Sequence, residues 1–524
     1  MVMEHSLPPV LQSLLRPAAY PHAVDHIDLM ETHISWVFLT GEFAYKVKKP
    51  VNLGFLDFST LERRRFYCNE ELRLNRRFAP DIYLSVASIN SLENQSVING
   101  NGEILEYAVV MRQFPAHCRL DIYLEQHPLE PDYFTEFARR LAAFHEAFAY
   151  ATGDDDYGTC DVIEAAASEN FTQIQQLLGN NAPALLATLE TWTREQGRQL
   201  RALFNERKQS AHVRECHGDM HLANMLLLHD RITLFDGIDF NDKLRWIDVI
   251  SDIAFLIMDL QDRGFHRHAN TFLNAYLTYS GDFNGLPLLP YYKTYRAMVR
   301  AKVTLLQALP LSRQSPARQH MQDEFNAYLQ LAGGYIRQGR PRLLLTVGYS
   351  GSGKSTVAAQ LAWRLDAIHI RSDVERKRLA GLDAHAASGS AVDGGLYDQQ
   401  STIATYQRLY EISQQLLTWG YTVIVDASFL NDALRHDFLK LAVEHRAGFT
   451  LLHITTSPAK LRARVVKRTH MAGQISEADI TVLEQQLRKE NIWRDGEQTH
   501  VVEVETDETI DYDQLLKQID QAPR

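Results

Sequence analysis

Cysteine is scarce in this 524-residue sequence: there are four, at positions 68, 118, 160 and 216, and none in the last 308 residues. No two form a Cys-x-x-Cys pair. A disulfide framework and a cysteine-rich zinc site are therefore excluded, and the usage fits a reduced, cytoplasmic compartment. Surplus positive charge is lacking too. The formal net charge is −11. Residues 340–524 hold 22 Lys and Arg against 24 Asp and Glu, and the remainder holds 32 against 41. Neither part has the basic excess that binding long nucleic acid demands. No stretch reaches the ~18 uncharged apolar residues of a helical membrane span. The first twenty residues have no basic segment ahead of a long apolar run, so no secretion signal is expected there. Repeats and low-complexity segments are also missing.

What is present is ordinary globular composition, 45% apolar and 23% charged, in a chain long enough for two to four domains. The character changes near residue 335. Gly333-Gly334 and Gly339-Arg340-Pro341 precede a compact apolar run, Leu343–Val347, which marks a domain boundary. We therefore expect one domain over 1–335 and a second over 341–524. The first opens as α+β. Trp36–Leu39 and Phe43–Lys49 read as a hairpin around Thr40-Gly41-Glu42, and Ser59 with Glu62 reads as the capping box of a helix from Thr60 to Arg77. Tyr107–Phe114 reads as a further strand, and helices dominate 131–207 and 250–331. The second domain alternates strand and helix, with strands expected near 343–347, 367–370, 422–426, 450–455 and 500–505. That alternation argues for a parallel sheet with right-handed crossovers.

The strongest motif is Gly348-Tyr349-Ser350-Gly351-Ser352-Gly353-Lys354-Ser355-Thr356. It matches G-x-x-x-x-G-K-[ST] after a strand and at the start of a helix. Its glycines let the backbone curl so that N–H groups converge on phosphate oxygens, and the helix N-terminus adds partial positive charge. Lys354 would reach the β- and γ-phosphates of ATP, and Ser355 would ligate Mg²⁺. Asp426 ends the apolar run Val423–Val425, where a carboxylate orients the metal. Asp373 follows the second strand, at the end of the sheet that faces the ligand crevice. It would take the proton of an acceptor hydroxyl, and Arg376 on the same face would hold an anionic group. Arg464 and Arg468 stand four residues apart on a basic helix that could close over ATP; a solvated helix face is the bland alternative. For Asp373 and Asp426 the corresponding alternative is a helix cap. These residues, with the Asp426-Ala-Ser-Phe-Leu-Asn431 segment and Arg435, resemble the small P-loop kinases of the polynucleotide kinase, zeta toxin and gluconate kinase group. The resemblance covers about residues 341–500. It implies hydroxyl phosphorylation without naming the acceptor.

A second phosphate motif lies upstream, His217-Gly218-Asp219-Met220-His221-Leu222-Ala223-Asn224. Five residues apart in a loop, Asp219 and Asn224 can converge on one centre. Asp219 would accept a hydroxyl proton and Asn224 would ligate Mg²⁺. Two short strands follow, the second running into Asp236-Gly237, and Asp236 and Asp239 compete for the second metal position. Arg245, Asp248 and Asp252 are read as anchors of this loop. The set resembles the aminoglycoside phosphotransferase and choline kinase branch of the protein-kinase-like fold, over about residues 20–310. That resemblance implies that Lys46 grips the nucleotide phosphates, with Lys48 on the same strand face as the fallback. It also implies that a helix glutamate orients the lysine. Tyr67, Glu71, Leu74 and Phe78 recur at helical spacing, which favours Glu71 over Glu70. The sequence departs from the family in having only Gly41 where a glycine-rich phosphate loop would stand.

The whole arrangement resembles bacterial tandem proteins that join an aminoglycoside phosphotransferase-like domain to a P-loop ATP-binding domain. The expected fold is an N-terminal α+β protein-kinase-like domain followed by a C-terminal α/β P-loop NTPase domain with a parallel sheet. The expected activity is ATP- and Mg²⁺-dependent phosphate transfer to a small hydroxylated acceptor, with no membrane partner. Two alternatives stay open here. In one, a domain acts as a nucleotide-sensing switch or pseudokinase for the other; in the second, the P-loop domain phosphorylates nucleotide or nucleic-acid ends.

Overall fold

A computed structural model of the chain describes residues 7–522, apart from 55, 94, 154, 313, 338, 385, 387–397, 470–479, 489–492, 494 and 495. The chain divides into two compact units. One gathers the residues up to Tyr133 with Phe144–Arg263 and Tyr291–Gly334. The other gathers Phe134–Ala143, Gly264–Pro290 and the chain from Tyr335 onward.

The first unit begins with a six-stranded antiparallel sheet. Its strands are β1 (Asp28–Glu31), β2 (Ser35–Leu39), β3 (Phe43–Lys48), β4 (Tyr83–Leu92), β5 (Gln95–Ile98) and β6 (Ile104–Arg112), in the order β1-β2-β3-β6-β4-β5. The β2–β3 turn uses Gly41 at φ +93°, a conformation that costs other residues steric strain. Alternation buries Trp36 and Phe38 of β2 and Tyr45 and Val47 of β3 in one core with Ala87, Ile89 and Ala108. The opposite face carries Ala44, Tyr83 and Val109 under the helix Leu61–Asn75. That helix is capped one residue later than the sequence implied. The Thr60 hydroxyl accepts from Arg63 N at 3.3 Å, while the Ser59 hydroxyl donates to Asp57. Two short ladders follow, β7 (Val213–Glu215) with β10 (Trp246–Asp248), and β8 (Met225–Leu228) with β9 (Arg231–Leu234). The residues between β7 and β8 are irregular apart from one 3-10 turn, Leu222–Asn224, those directly after β9 are irregular too, and both stretches carry the motif residues.

The second unit is built on a five-stranded parallel sheet: β11 (Arg342–Val347), β12 (Ile368–Arg371), β13 (Val423–Asp426), β14 (Gly448–Thr455) and β15 (Val501–Glu505), in the order β12-β13-β11-β14-β15. Leu343, Leu344 and Leu345 at its centre are fully buried, as a strand covered on both faces requires. The P-loop helix Lys354–Arg364 packs against this core through Val357, Ala358 and Leu361. β12 is an edge strand whose backbone groups need partners. The helix His266–Ser280 supplies them. His369 N donates to Asn274 Oδ1 at 2.7 Å, and Ala367 O accepts from the side-chain amides of Asn274 at 3.1 Å and Asn270 at 3.2 Å. Nearby, the Tyr421 hydroxyl donates to Leu286 O at 2.8 Å. No helix among the described residues is long and apolar enough to cross a membrane.

Candidate active sites

In the first unit, Asp252 holds the loop that carries His217-Gly218-Asp219. It is fully buried, and its carboxylate accepts from Gly218 N at 2.9 Å and His217 N at 3.3 Å. His145 closes the other side at 3.2 Å. Farther along, Asp259 accepts from Leu222 N at 2.8 Å, and Arg296 donates to Gly218 O at 2.9 Å. Asp248 caps the helix Val249–Asp262 and binds Arg207 in a buried pair. Burial holds the His217 imidazole below its ordinary pKa, so it is neutral. Its Nε2 donates to Phe235 O at 3.0 Å, which leaves Nδ1 to accept from Asp219 N. The backbone is thus fixed before any ligand arrives.

Asp219 and Asn224 meet as their spacing implied. Asn224 Nδ2 donates to Asp219 Oδ2 at 2.8 Å. No described residue donates to Asn224 Oδ1, which suits it to a cation. Burial alone would raise the Asp219 carboxyl. The His221 ring at 3.4 Å, with the Arg296 charge, instead holds it well below the usual carboxylate range.

Two lysines converge on one glutamate. Lys46 Nζ lies 2.8 Å from Glu71 Oε1 and 2.5 Å from Asp236 Oδ1. Lys48 Nζ lies 2.7 Å from Glu71 Oε2 and 2.5 Å from Asp239 Oδ2. Residues 46 and 48 point the same way on β3, so neighbouring carboxylates can serve both. Burial opposes ionisation of Glu71, yet the two ammonium groups pull its pKa down to about 2. The competing aspartates differ sharply. Asp236 takes a left-handed backbone at φ +59°, its N–H donates to the Tyr83 hydroxyl, and its side chain is 46% exposed. Asp239 is 7% exposed, its backbone carbonyl held by Arg245. Phe235 N donates to Asn224 O at 3.1 Å, which sets Asp236 next to Asn224.

In the second unit the P-loop wraps closely. A Cβ on Gly348 would come within 2.4 Å of Ile454 O and 3.0 Å of Ser352 Oγ, and Gly353 sits at φ +99°. Ser352 Oγ is buried with no partner among the described residues. Lys354 Nζ donates to Tyr349 O at 2.8 Å. Ser355 and Thr356 are exposed at the helix start. Asp426 is buried, bonded to Ser355 and 3.3 Å from His369 Nε2. Burial would raise its pKa, but those bonds and the Arg371 charge hold it well below the carboxylate range. Asp373 is half-buried with neither hydrogen bond nor ion pair among the described residues, and Arg376 donates to the Thr402 hydroxyl. Arg464 is bonded to the loop itself, donating to Gly351 O and Ser352 O, and it also donates to Thr506 O just after β15. Arg468 is on the same helix, but its side chain is outside the described residues. Arg435 is fully buried, forked onto Glu497 and over the Trp493 ring.

Residues 68–289 match the family model of the phosphotransferase enzyme family, and residues 343–490 match that of an AAA domain. The chain joins a phosphotransferase domain to a P-loop domain. It is 28% identical over 473 residues to an uncharacterized protein of Mycobacterium tuberculosis, covering 90% of this chain and 91% of the relative. The ethanolamine kinase of Plasmodium vivax is 9% identical, with 60% of this chain and 82% of that one covered at a TM-score of 0.37. A gluconokinase from Sinorhizobium meliloti is 19% identical, with 36% and 91% covered at 0.23.

Sequence reasoning passed over three contributors. Lys48 of the phosphotransferase domain was a substitute for Lys46, not its companion. Asn75, whose Oδ1 accepts from Gly237 N at 2.8 Å, shows no motif. In the P-loop domain, Gln486 reaches the loop from the helix Ile480–Leu487, and its Oε1 accepts from Ser350 N at 2.8 Å. A lone polar residue 136 positions away carries no local signal.

Proposed function

We propose that each domain binds Mg²⁺·ATP and moves the γ-phosphate to a hydroxyl of a small acceptor. The observation that carries this reading is the pairing of Asp219 with Asn224 and of Lys46 with Asp236, four groups from three segments with one task each. Lys46 neutralises the nucleotide phosphates. Asn224 and Asp236 hold the metal, which supplies charge to the leaving group. Asp219 orients the acceptor hydroxyl. As the acceptor oxygen bonds to the γ-phosphorus and the bond to the β-phosphate oxygen breaks, Asp219 takes the hydroxyl proton, and ADP leaves. A carboxylate with so low a pKa is a weak base, so the proton moves late, once the phosphoryl group has begun to bond. In the P-loop domain, Gly348, Ser350, Gly351, Ser352, Gly353 and Thr356 form the cradle, with Lys354 on the phosphates. The buried, unpartnered Ser352 hydroxyl fits a cradle awaiting polar ligand atoms. Ser355 and Asp426 would hold the metal, Asp373 would receive the proton, and Arg464 and Arg468 would supply charge.

Calorimetry of Mg²⁺·ATP binding tests this directly. The intact protein is expected to bind two nucleotides, and Lys354→Ala one. A stoichiometry of one that falls to zero would remove the first site from the reading.

The metal position is tested separately. Asp236→Asn is expected to abolish the Mg²⁺ dependence of nucleotide binding at the first site while the melting temperature holds. Asp239→Asn is expected to do the reverse, since it leaves Lys48 short of a buried partner. Metal titrations followed by melting curves read both.

A further inference from the structure

One peptide unit of the P-loop is held from both ends. Its carbonyl, Tyr349 O, accepts from Lys354 Nζ at 2.8 Å, and its amide, Ser350 N–H, donates to Gln486 Oε1 at 2.8 Å. Lys354 is the residue that serves the terminal phosphates, so Gln486 shares a peptide with the group that a triphosphate recruits. Gln486 is firmly placed. Its helix packs on the helix Pro458–Thr469 through Leu461, Val465 and Leu483, and Tyr349 itself joins that cluster. Arg462 and Glu484 tie the same two helices at 2.7 Å. A Cβ on Gly351 would meet Val465 at 3.0 Å and Leu461 O at 3.1 Å, so this surface lies against the loop.

We propose that Gln486 reads the terminal phosphate at the P-loop and so distinguishes a nucleoside triphosphate from a diphosphate. Without nucleotide its carbonyl fills the Ser350 N–H. A γ-phosphate draws Lys354 off Tyr349 O and takes the Ser350 N–H as an anion acceptor. The Gln486 amide then turns, and its NH₂ donates to a γ-phosphate oxygen. A side-chain amide suits both states because it carries an acceptor and a donor on one pivot. A diphosphate, which lacks those oxygens, leaves the Gln486–Ser350 bond in place. The inference rests on the nucleotide reading of the P-loop and adds the group that selects for the third phosphate.

A charge swap at this position tests it. Binding of ADP and of a non-hydrolysable ATP analogue, both with Mg²⁺, is measured by calorimetry on the intact chain. The isotherm of Lys354→Ala, which keeps only the first site, is subtracted. Gln486→Glu is expected to weaken the triphosphate at least about tenfold, because a carboxylate grips Ser350 N–H more tightly and repels the phosphate. ADP is expected to change less than threefold. Gln486→Lys is expected to shift the triphosphate-to-diphosphate preference in the opposite direction. Equal shifts for both nucleotides, or none, in these two variants would overturn the inference while leaving the nucleotide site intact. Identical isotherms for wild type and Lys354→Ala would overturn the nucleotide site and this inference with it.

Discussion

Asp219→Asn is expected to lower phosphate transfer at the first site by on the order of 10²–10⁴-fold, the range that a positioned base contributes. Nucleotide affinity is expected to stay within about twofold. Asparagine preserves the shape of the side chain, and Asn224 can still donate to its oxygen. What it loses is the capacity to take a proton. The buried carboxylate of Asp252 goes on holding the loop through His217 N and Gly218 N, so the backbone stays where it is. The low pKa of Asp219 has a further reading. Its carboxylate stays ionised throughout the range above the ordinary aspartate value of 3.8. Any acid-side fall in rate between pH 5 and 7 must then come from another group. Initial rates of ADP release across acceptor concentrations separate the turnover effect from binding. A variant that keeps full turnover would place the base elsewhere.

Removing Glu71 is expected to produce the largest stability loss of any single change in the phosphotransferase domain. It is 1% exposed and is the shared partner of two ammonium groups. Breaking a buried ion pair from one side typically costs about 3–5 kcal/mol, and without Glu71 each lysine keeps a single carboxylate, Asp236 or Asp239. Glu71→Ala should accordingly lower the melting temperature of this domain by on the order of 10 °C. Glu70→Ala is the control: Glu70 pairs with the half-exposed Arg73, and its loss should cost within about 1 kcal/mol. The effect has a pH sign. The folded-state pKa of Glu71 is about 2, against an ordinary 4.5. A depressed carboxylate contributes stability above its unfolded value, and the contribution is lost as pH falls through the folded one. The gap between wild type and Glu71→Ala should be full at pH 7, begin to narrow near pH 4.5 and close towards pH 2. Calorimetric melts over that range would show it. A gap that stayed constant with pH would mean that the two lysines do not depend on Glu71.

The chemistry was more legible in the sequence than the wiring. The P-loop and the His217–Asn224 loop could be read because irregular backbone with a fixed task tolerates few residue types at each position. The six-residue β3 was legible from alternation, but alternation places Lys46 and Lys48 on one face and goes no further. Only tertiary packing shows that Glu71 serves both. The same holds for Asp236 and Asp239, three residues apart in one loop, where burial separates an open carboxylate from a locked one. The β4–β5 hairpin went unread although Tyr83–Leu92 alternates, because its serines and Asn90 blur the apolar face. Gln486 and Asn274 were out of reach altogether. Each acts on backbone about a hundred residues away in the chain, and no local pattern records a contact of that span.

The asparagine-capped edge of β12 bears on how this polypeptide was put together. Asn270 and Asn274 are encoded well upstream of the parallel sheet, within the stretch that matches the phosphotransferase family. The strand they finish carries Arg371 into the helix that bears Asp373. Gene order and spatial order therefore disagree. Residues 341–524 alone would not make a self-sufficient ATP-binding module, since their compact unit also takes in Gly264–Pro290. They would leave a sheet whose last strand shows bare amides and carbonyls to any passing chain, the starting point of edge-to-edge aggregation.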